Sequence, residues 1–211
     1  MEDLQLTTTY FAEPGPQNTE TTLSLVAEHA RRHSIEHVVI ASDTGKTARR
    51  AIEVLGAERK LVVVTNPANL RFPVAKLHDY LPRFKQHKQG LLDEGIQHIP
   101  CSLDVDTVAE LEAAGATVHR IDWKRFQSFT RVGLSAVDRV GVGVRVGLTV
   151  TIWACLSRAL PPGVDVVAVA GTGFGGGGAD TAVVVRTATA FKDFRVLELL
   201  CKPRVGPPSE M

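Results

Sequence analysis

The strongest candidate for chemistry is residues 42–47, with the sequence SDTGKT, which follow a run of β-branched residues and precede a helical pattern. A glycine here lets the backbone approach an anion, while the N–H groups of the helix start, the hydroxyls and the Lys46 ammonium supply donors and positive charge. The segment therefore predicts a phosphate site. Its expected residues are Ser42, Asp43, Thr44, Gly45, Lys46 and Thr47. The alternative is an ordinary helix start without a ligand.

The same segment departs from the P-loop of nucleotide hydrolases. Gly45, Lys46 and Thr47 match the last three positions of that motif, but the motif requires another glycine five positions before Gly45, where this chain has Ile40. We therefore expect no magnesium-dependent nucleotide hydrolysis at this segment.

A second candidate is the glycine-rich segment 171–181, with the sequence GTGFGGGGADT. Its spacing satisfies GxGxxG at Gly171, Gly173 and Gly176, but a Rossmann fingerprint opens a helix, whereas a strand-like run follows here. We expect instead a flexible loop that folds its backbone amides over a ligand. The expected binding residues are Gly171, Thr172, Gly173, Asp180 and Thr181. A glycine-rich hairpin without function is the alternative.

Further polar and aromatic residues follow predicted strands. Ligands of open α/β sheets bind beyond the carboxyl ends of the strands, so Thr65 and Asn66, after the second strand, are expected beside both loops. Trp123 follows the third strand, where its indole could stack on a flat ring or simply pack at a helix start. Asp43 and Asp180 could act as acid or base, or cap a helix and order a turn.

We expect neither a metal site nor a catalytic triad. His29, His33 and His37 recur every four residues, but the HExxH glutamate is missing and His37 belongs to the predicted strand 37–41. We interpret His29 and His33 as residues of a helix end. Ser135 lies in a helical pattern, and its surroundings lack the closing glycine of a nucleophile elbow.

The elements that position these loops are indicated by hydrophobic patterns. Short β-branched runs, three of them almost continuously apolar as in strands covered on both faces, predict strands over 37–41, 61–65, 116–121 and 165–170. Helical spacing predicts helices over 19–33, 47–55, 106–114, 126–140 and 142–160, and Thr107 with Glu110 suggests a capping box. Such alternation is typical of a parallel α/β sheet. The strand over 181–187 follows a loop too short for a crossover, so we expect it to be antiparallel.

Composition agrees with one globular domain. The chain has 211 residues, 44% hydrophobic and 22% charged, and we expect a single domain over 1–202 with a long surface excursion at 66–103 and a flexible tail at 203–211. Twenty-four Lys and Arg against 23 Asp and Glu leave a net charge of +1, which argues against nucleic-acid and membrane-surface partners.

The N-terminal sequence and the cysteine content predict a cytoplasmic location. The first residues lack the pattern of a secretory signal, and the three cysteines form neither a disulfide framework nor a CxxC pair. The longest uncharged apolar stretch, 146–157, is shorter than the roughly 20 residues of a membrane-spanning helix, so we expect no membrane insertion.

The ordered set of motifs resembles the C-terminal α/β domain of pyruvate kinase, and more closely a group of stand-alone proteins similar to that domain. The resembling segments are Tyr10 with Phe11, then 14–19, 41–48, 168–173, 178–182 and 201–204. The resemblance implies a three-layer α/β/α sandwich whose mixed sheet has about five strands, the last of them antiparallel. The segment 174–178 is longer than expected for the stand-alone group, and 77–103 looks like an insertion.

The resemblance also implies a ligand. In pyruvate kinases the loop similar to 42–47 grips a phosphate of a sugar-bisphosphate effector, and a glycine-containing loop similar to 171–181 closes over it. Carried across, the residues that hold phosphate are Ser42, Thr44, Gly45, Lys46 and Thr47. Pyruvate kinase activity itself is excluded, because its catalytic barrel needs about 250 residues.

We therefore expect binding of a phosphorylated small molecule, either a phosphosugar or flavin mononucleotide, at the carboxyl edge of the sheet, with a regulatory role as one interpretation. One alternative is an enzyme that acts on a phosphorylated or flavin-type ligand in the same pocket. Another is a structural or oligomerisation module without a ligand. The apolar segment 142–160 could be part of a homo-oligomer interface or be buried within the chain.

Overall fold

The structure, a computed structural model, describes residues 5–125, 128–173 and 178–204. Its centre is a mixed sheet of seven strands, accompanied by a separate antiparallel pair. In chain order the strands are β1 (Thr9–Phe11), β2 (His37–Ala41), β3 (Lys60–Thr65), β4 (Arg71–Pro73), β5 (His98–Pro100), β6 (Thr117–Arg120), β7 (Asp165–Ala170), β8 (Thr181–Arg186) and β9 (Arg195–Pro203). The order in the main sheet is β1-β9-β8-β7-β2-β3-β6.

The described part of the chain also has six α-helices. They are α1 (Thr19–Arg32), α2 (Lys46–Leu55), α3 (Pro82–Asp93), α4 (Val105–Ala113), α5 (Ser128–Val137) and α6 (Val142–Leu156). The five predicted helices correspond to α1, α2, α4, α5 and α6; Phe126, where the fourth was expected to begin, lies outside the described residues. No helix in the described ranges is both long and apolar enough to cross a lipid bilayer.

Strand direction follows the predicted alternation in the middle of the sheet. β7, β2, β3 and β6 are parallel neighbours, with Ile40 of β2 opposite Val169 of β7 on one side and Val63 of β3 on the other. β8 is antiparallel to β7, as expected for a strand reached through a short loop.

The expected count of about five strands is wrong, and the antiparallel strand β8 is not the last strand of the sheet. β9 follows β8 antiparallel, and β1 pairs in parallel with β9, which brings the sheet to seven strands. The run over β9 contains charged residues at Arg195, Glu198 and Lys202, and its register against β8 shifts twice, so it lacks a regular apolar pattern. β1 has only three residues, too few for a periodic signal.

Helices cover both faces of the sheet. Along β2, Val38 and Ile40 pack into one hydrophobic cluster with α1, α2 and α4, whereas Val39 packs into the other with α5 and α6. This two-sided burial explains why the central strands are almost continuously apolar. α6 is buried on β2, β7 and β8, and this burial accounts for its apolar character.

Two predicted helix signals differ from the structure. Asp104 immediately precedes α4 and caps it. Its Oδ1 accepts a hydrogen bond from the Thr107 N–H at 2.6 Å. Thr107 therefore lies inside the first turn, and the predicted capping box is wrong because an aspartate three residues earlier takes the capping position. α6 ends at Leu156, four residues earlier than predicted, and Arg158 beyond it adopts a left-handed conformation.

The predicted excursion at 66–103 contains regular secondary structure. It holds the antiparallel pair of β4 and β5 and the twelve-residue helix α3. At the other end of the chain, Pro203, the first residue of the expected tail, is the last residue of β9. Residues 205–211 lie outside the described residues.

Close packing of α6 on the sheet gives a test with two glycines. A Cβ added to Gly143 would lie 2.1 Å from Thr181 Oγ1, so we expect Gly143→Ala to lower the free energy of unfolding by about 1–3 kcal/mol. Gly90 in α3 has open space around it, so Gly90→Ala is expected to raise stability by roughly 0.5–1 kcal/mol. Urea denaturation measures both, and equal effects would contradict the packing described here.

A buried histidine makes stability depend on pH. Burial lowers the pKa of His37 below its ordinary value of 6.5, so the unfolded chain binds the proton more readily than the folded one. The stability that the neutral ring contributes is present above about pH 6.5 and is lost as the pH falls through the folded pKa. Between pH 7.5 and 5, denaturation should show wild type losing more stability than His37→Gln; parallel pH profiles would refute this.

Candidate functional site

A cavity of about 290 Å³ opens where β2, β3, β6 and β7 reach their carboxyl ends. Ten of the residues predicted for the site line it: Ser42, Asp43, Thr44, Thr47, Thr65, Asn66, Trp123, Gly171, Thr172 and Gly173. Four predicted residues do not line it, namely Gly45, Lys46, Asp180 and Thr181. The cavity thus brings the two predicted loops together at one edge of the sheet.

Topology explains why the loops meet. β2 and β7 are adjacent and parallel, so the segments that follow Ala41 and Ala170 leave the sheet side by side. After β2 the chain continues to β3, which lies on one side of β2, whereas β7 lies on the other side. The boundary between β2 and β7 is therefore the switch point of the sheet. Such a point leaves a crevice between connections that diverge, and ligands of open α/β sheets bind there.

Gly171 and Gly178, at the two described ends of the glycine-rich loop, have no space for a side chain. A Cβ on Gly171 would lie 2.0 Å from the Gly178 carbonyl oxygen, and a Cβ on Gly178 would lie 2.4 Å from Pro16 Cα. Gly178 also has a φ of +70°, which glycine adopts without strain. Residues 174–177 between these ends, including Gly176 of the GxGxxG match, lie outside the described residues.

Asp180 holds this loop in place rather than lining the cavity. The side chain has no exposed surface, and its carboxylate accepts hydrogen bonds from four donors. These are the Gly15 N–H at 2.9 Å, the Thr172 N–H at 3.3 Å, and the hydroxyls of Thr172 and Thr181 at 2.9 Å each. Burial raises the pKa of Asp180 although these bonds oppose the shift. The geometry therefore agrees with the turn-ordering interpretation of this residue.

The N-terminal end of α1 is tied to the same loop. Thr19 Oγ1 accepts a hydrogen bond from the Ala179 N–H at 3.0 Å, and Thr22 Oγ1 donates one to the Ala179 carbonyl at 3.3 Å. The segment before α1 and the glycine-rich loop therefore form one hydrogen-bonded unit.

Asp43 presents a second carboxylate, half-buried in the wall of the cavity. Its Oδ1 accepts hydrogen bonds from Asn66 Nδ2 at 3.2 Å and Thr65 Oγ1 at 3.4 Å, and its Oδ2 accepts one from Cys101 Sγ at 3.4 Å. Burial raises the pKa of Asp43, and these donors oppose the rise. Burial also raises the pKa of Cys101 to about 12, so that thiol stays protonated and serves as a donor. Asp43 is thus the acid or base candidate that the cavity contains.

The beginning of α2 supplies backbone donors. Its first intrahelical bond runs from the Arg49 N–H to the Gly45 carbonyl, so the N–H groups of Lys46, Thr47 and Ala48 have no acceptor within the helix. Thr47 lines the cavity, whereas the Lys46 side chain is exposed outside the lining.

One wall of the cavity was not predicted from the sequence. α6 contributes Arg145 and Thr149, together with the apolar residues Val142, Val146 and Val150. Arg145 pairs through Nε with Asp138 Oδ1 at 2.6 Å, and its carbonyl accepts from Thr149 Oγ1 at 2.8 Å. Two polar residues four positions apart in an apolar helix share a face, and this spacing was the available signal.

Comparison with known protein families does not assign the site. No family model matches the chain. Within the described ranges, no group of three or more His, Cys, Asp or Glu side chains is placed to hold a metal ion. The function must therefore be argued from the cavity itself.

The Asp180 hub gives a testable effect on stability. Asp180→Ala leaves the buried Gly15 and Thr172 N–H groups without an acceptor, so we expect a loss of at least about 2 kcal/mol in the free energy of unfolding. Asp180→Asn should cost less, because its amide oxygen can accept both N–H groups while the threonine hydroxyls turn to accept from its NH₂.

The matched control for this change is Asp165→Ala. Asp165 pairs with Arg186 at an exposed position, so its loss should cost at most about 1 kcal/mol. Urea denaturation measures all three variants, and hydrogen exchange at Gly15 and Thr172 reports the local opening. An Asp180→Ala variant as stable as Asp165→Ala would remove Asp180 from its structural role.

Proposed function

We propose that the protein binds a phosphorylated small molecule in the cavity at the carboxyl edge of the sheet. The observation that carries the proposal is the convergence of two predicted loops, rich in hydroxyls and backbone amides, on a single cavity beside the start of α2. Regulation by that ligand is the role the resemblance implies.

The phosphate fits best near the start of α2. There the hydroxyls of Ser42, Thr44 and Thr47 border the cavity, and the helix offers N–H groups without intrahelical acceptors and the positive end of its dipole. Arg145 supplies a cation on the opposite wall, where Lys46 was expected to do so. These groups together favour an anionic ligand over a neutral one.

The remaining lining favours a compact, hydroxylated ligand. A cavity of about 290 Å³ lies at the lower end of the roughly 300–1,000 Å³ typical of small-molecule sites. Asp43 and Asn66 offer an acceptor and an amide toward ligand hydroxyls, and Trp123 offers an aromatic face. A phosphosugar therefore suits the cavity better than flavin mononucleotide, which stays the second choice because Trp123 can stack on its ring.

We also propose that the chain is a stand-alone domain of the pyruvate kinase C-terminal type. Support comes from the five central strands β6-β3-β2-β7-β8, with helices on both faces and one antiparallel member, onto which β9 and β1 are added. A cytoplasmic location is part of this proposal, supported by three free cysteines. Homo-oligomer formation rests on the resemblance alone, because α6 is buried within the chain.

A second candidate function is catalysis on the same ligand. It is favoured by Asp43, a half-buried carboxylate in the cavity wall, because desolvation raises its pKa above the ordinary value. A carboxyl of that kind can exchange a proton with a bound hydroxyl. Product formation from fructose 1,6-bisphosphate or flavin mononucleotide that Asp43→Asn abolishes would support this candidate.

The binding proposal is tested with Thr47→Val and Arg145→Gln. Titration with fructose 1,6-bisphosphate by calorimetry, and with flavin mononucleotide by fluorescence quenching, measures the dissociation constants. We expect each variant to weaken binding roughly 10- to 100-fold, because a hydrogen bond to a charged group contributes about 1.5–3 kcal/mol. Arg186→Gln, which removes an exposed cation on β8, should change affinity less than about 2-fold.

Lys46→Gln separates the two cations. Because Lys46 lies outside the lining, we expect a smaller loss of affinity for Lys46→Gln than for Arg145→Gln.

Wild-type affinity in both Thr47→Val and Arg145→Gln would refute the phosphate site. An absence of thermal stabilisation by any sugar phosphate or flavin mononucleotide would favour the structural module, since ligand at 100 times its dissociation constant adds about 2.7 kcal/mol.

A further inference from the structure

The excursion between β3 and α4 contains buried hydrogen-bond donors that the proposed function does not use. Tyr80 precedes α3, and Arg83 lies in its first turn. The hydroxyl of Tyr80 and the Nε and Nη2 atoms of Arg83 are buried, and none of the three has a hydrogen-bond partner in the described part of the chain. Both residues lie outside the cavity lining.

Donors in this state are unusual, because a buried polar group without a partner destabilises a fold. The two Arg83 atoms form the side edge of the guanidinium, where two N–H bonds point in parallel. That edge matches two oxygens of one carboxylate or phosphate group. The Tyr80 hydroxyl adds a third donor, and burial raises its pKa to about 12, so it keeps its proton at neutral pH.

The carboxylates already present do not occupy this edge. Glu13 faces the other side of the guanidinium, with its Oε2 at 3.4 Å from Arg83 Nη1. Asp180 is close enough to influence Tyr80, but its oxygens already accept four hydrogen bonds. On α3, Lys88 is paired with Asp79. Among the described residues, the side edge of Arg83 and the Tyr80 hydroxyl therefore both lack an acceptor.

Aromatic packing holds the two donors in a fixed arrangement. The Arg83 guanidinium lies 4.9 Å from the centre of the Phe84 ring, and the Tyr80 ring meets the same ring edge-on at 5.5 Å. The Arg83 side chain as a whole is 35% exposed although its Nε and Nη2 atoms are buried, so the cluster lies just beneath the surface. A preorganised arginine requires little ordering when a ligand binds.

The cluster also touches the segment that Asp180 holds. A Cβ on Gly15 would lie 3.0 Å from Arg83 Nη2, and the Gly15 N–H donates to Asp180. We propose that Tyr80 and Arg83 form a second binding site, outside the cavity, for a small oxyanion presented as a carboxylate or a phosphate. Its ligand joins α3 to the Gly15 turn, and the proposal is independent of what the cavity binds.

Nuclear magnetic resonance of the Arg83 side chain tests this proposal in the full-length protein. Inorganic phosphate and acetate are titrated separately at constant ionic strength, with chloride as the reference anion, and the Arg83 Nε–H signal is followed. We expect a saturable shift with at least one of the two oxyanions and none with chloride. The tighter binder identifies the ligand class as phosphate or carboxylate.

Variants distinguish a geometric site from general attraction. Arg83→Lys keeps the charge but lacks the paired N–H edge, so we expect at least a 10-fold loss of affinity for the binding oxyanion, monitored at the Gly15 amide. Tyr80→Phe should lose 3-fold or more. Lys85→Gln, an exposed cation on the same helix, is the control and should change affinity less than 2-fold. Circular dichroism and the unfolding temperature verify that each variant is folded.

Three results would overturn the proposal: no response of the Arg83 signal to either oxyanion, unchanged affinity in folded Arg83→Lys, or an equal loss in Lys85→Gln. Arg145→Gln separates the two sites, because it removes a cavity cation and leaves the Tyr80 and Arg83 cluster intact. Loss of cavity binding in that variant, with the Arg83 response retained, places the oxyanion at the second site.

Discussion

The carboxylate of Asp180 joins segments that are far apart in the chain. It accepts hydrogen bonds from Gly15, which precedes α1, from Thr172 at the beginning of the glycine-rich loop, and from Thr181 at the beginning of β8. Each of these donors would be buried without an acceptor if the carboxylate were absent, and that cost is what makes the arrangement specific. The loop that borders the cavity therefore owes its position to a residue that does not line the cavity.

The central sheet imposes a second constraint on the site. Because β2 and β7 are parallel neighbours, the segments after Ala41 and Ala170 must emerge together, whatever their sequences are. Their residues then decide what the edge can bind. Serine, threonine and glycine keep it open and rich in donors, while Arg145 of α6 adds a positive charge from the face opposite α2.

Much of this arrangement could be predicted from the amino-acid sequence. The central strands are almost continuously apolar because helices cover both of their faces, and that pattern located the carboxyl edge and the loops at Ser42 and Gly171. β9 was missed because charged residues and two register shifts interrupt its pattern. The capping box at Thr107 was wrong because Asp104 competes for the same helix start.

Other features of the site depend on tertiary contacts that a local pattern does not contain. Arg145 appeared as a charge in a core helix, and its place in the cavity depends on how α6 lies across the sheet. Tyr80 and Arg83 lie in a segment of weak periodicity. That the Tyr80 hydroxyl and the side edge of Arg83 lack acceptors becomes visible only when Gly15 and Glu13 pack beside them. The donors that bind the Asp180 carboxylate likewise come from residues up to 165 positions away in the chain.

The pairing of β1 with β9 has a consequence for the order in which the chain folds. Thr8 donates a hydrogen bond to the Leu199 carbonyl, 191 residues further along the chain, and β1 lies against no strand other than β9 within the described ranges. β1 can therefore join the main sheet only after β9 has paired with β8. Contacts that span such separations slow folding, so we expect this edge of the sheet to form late.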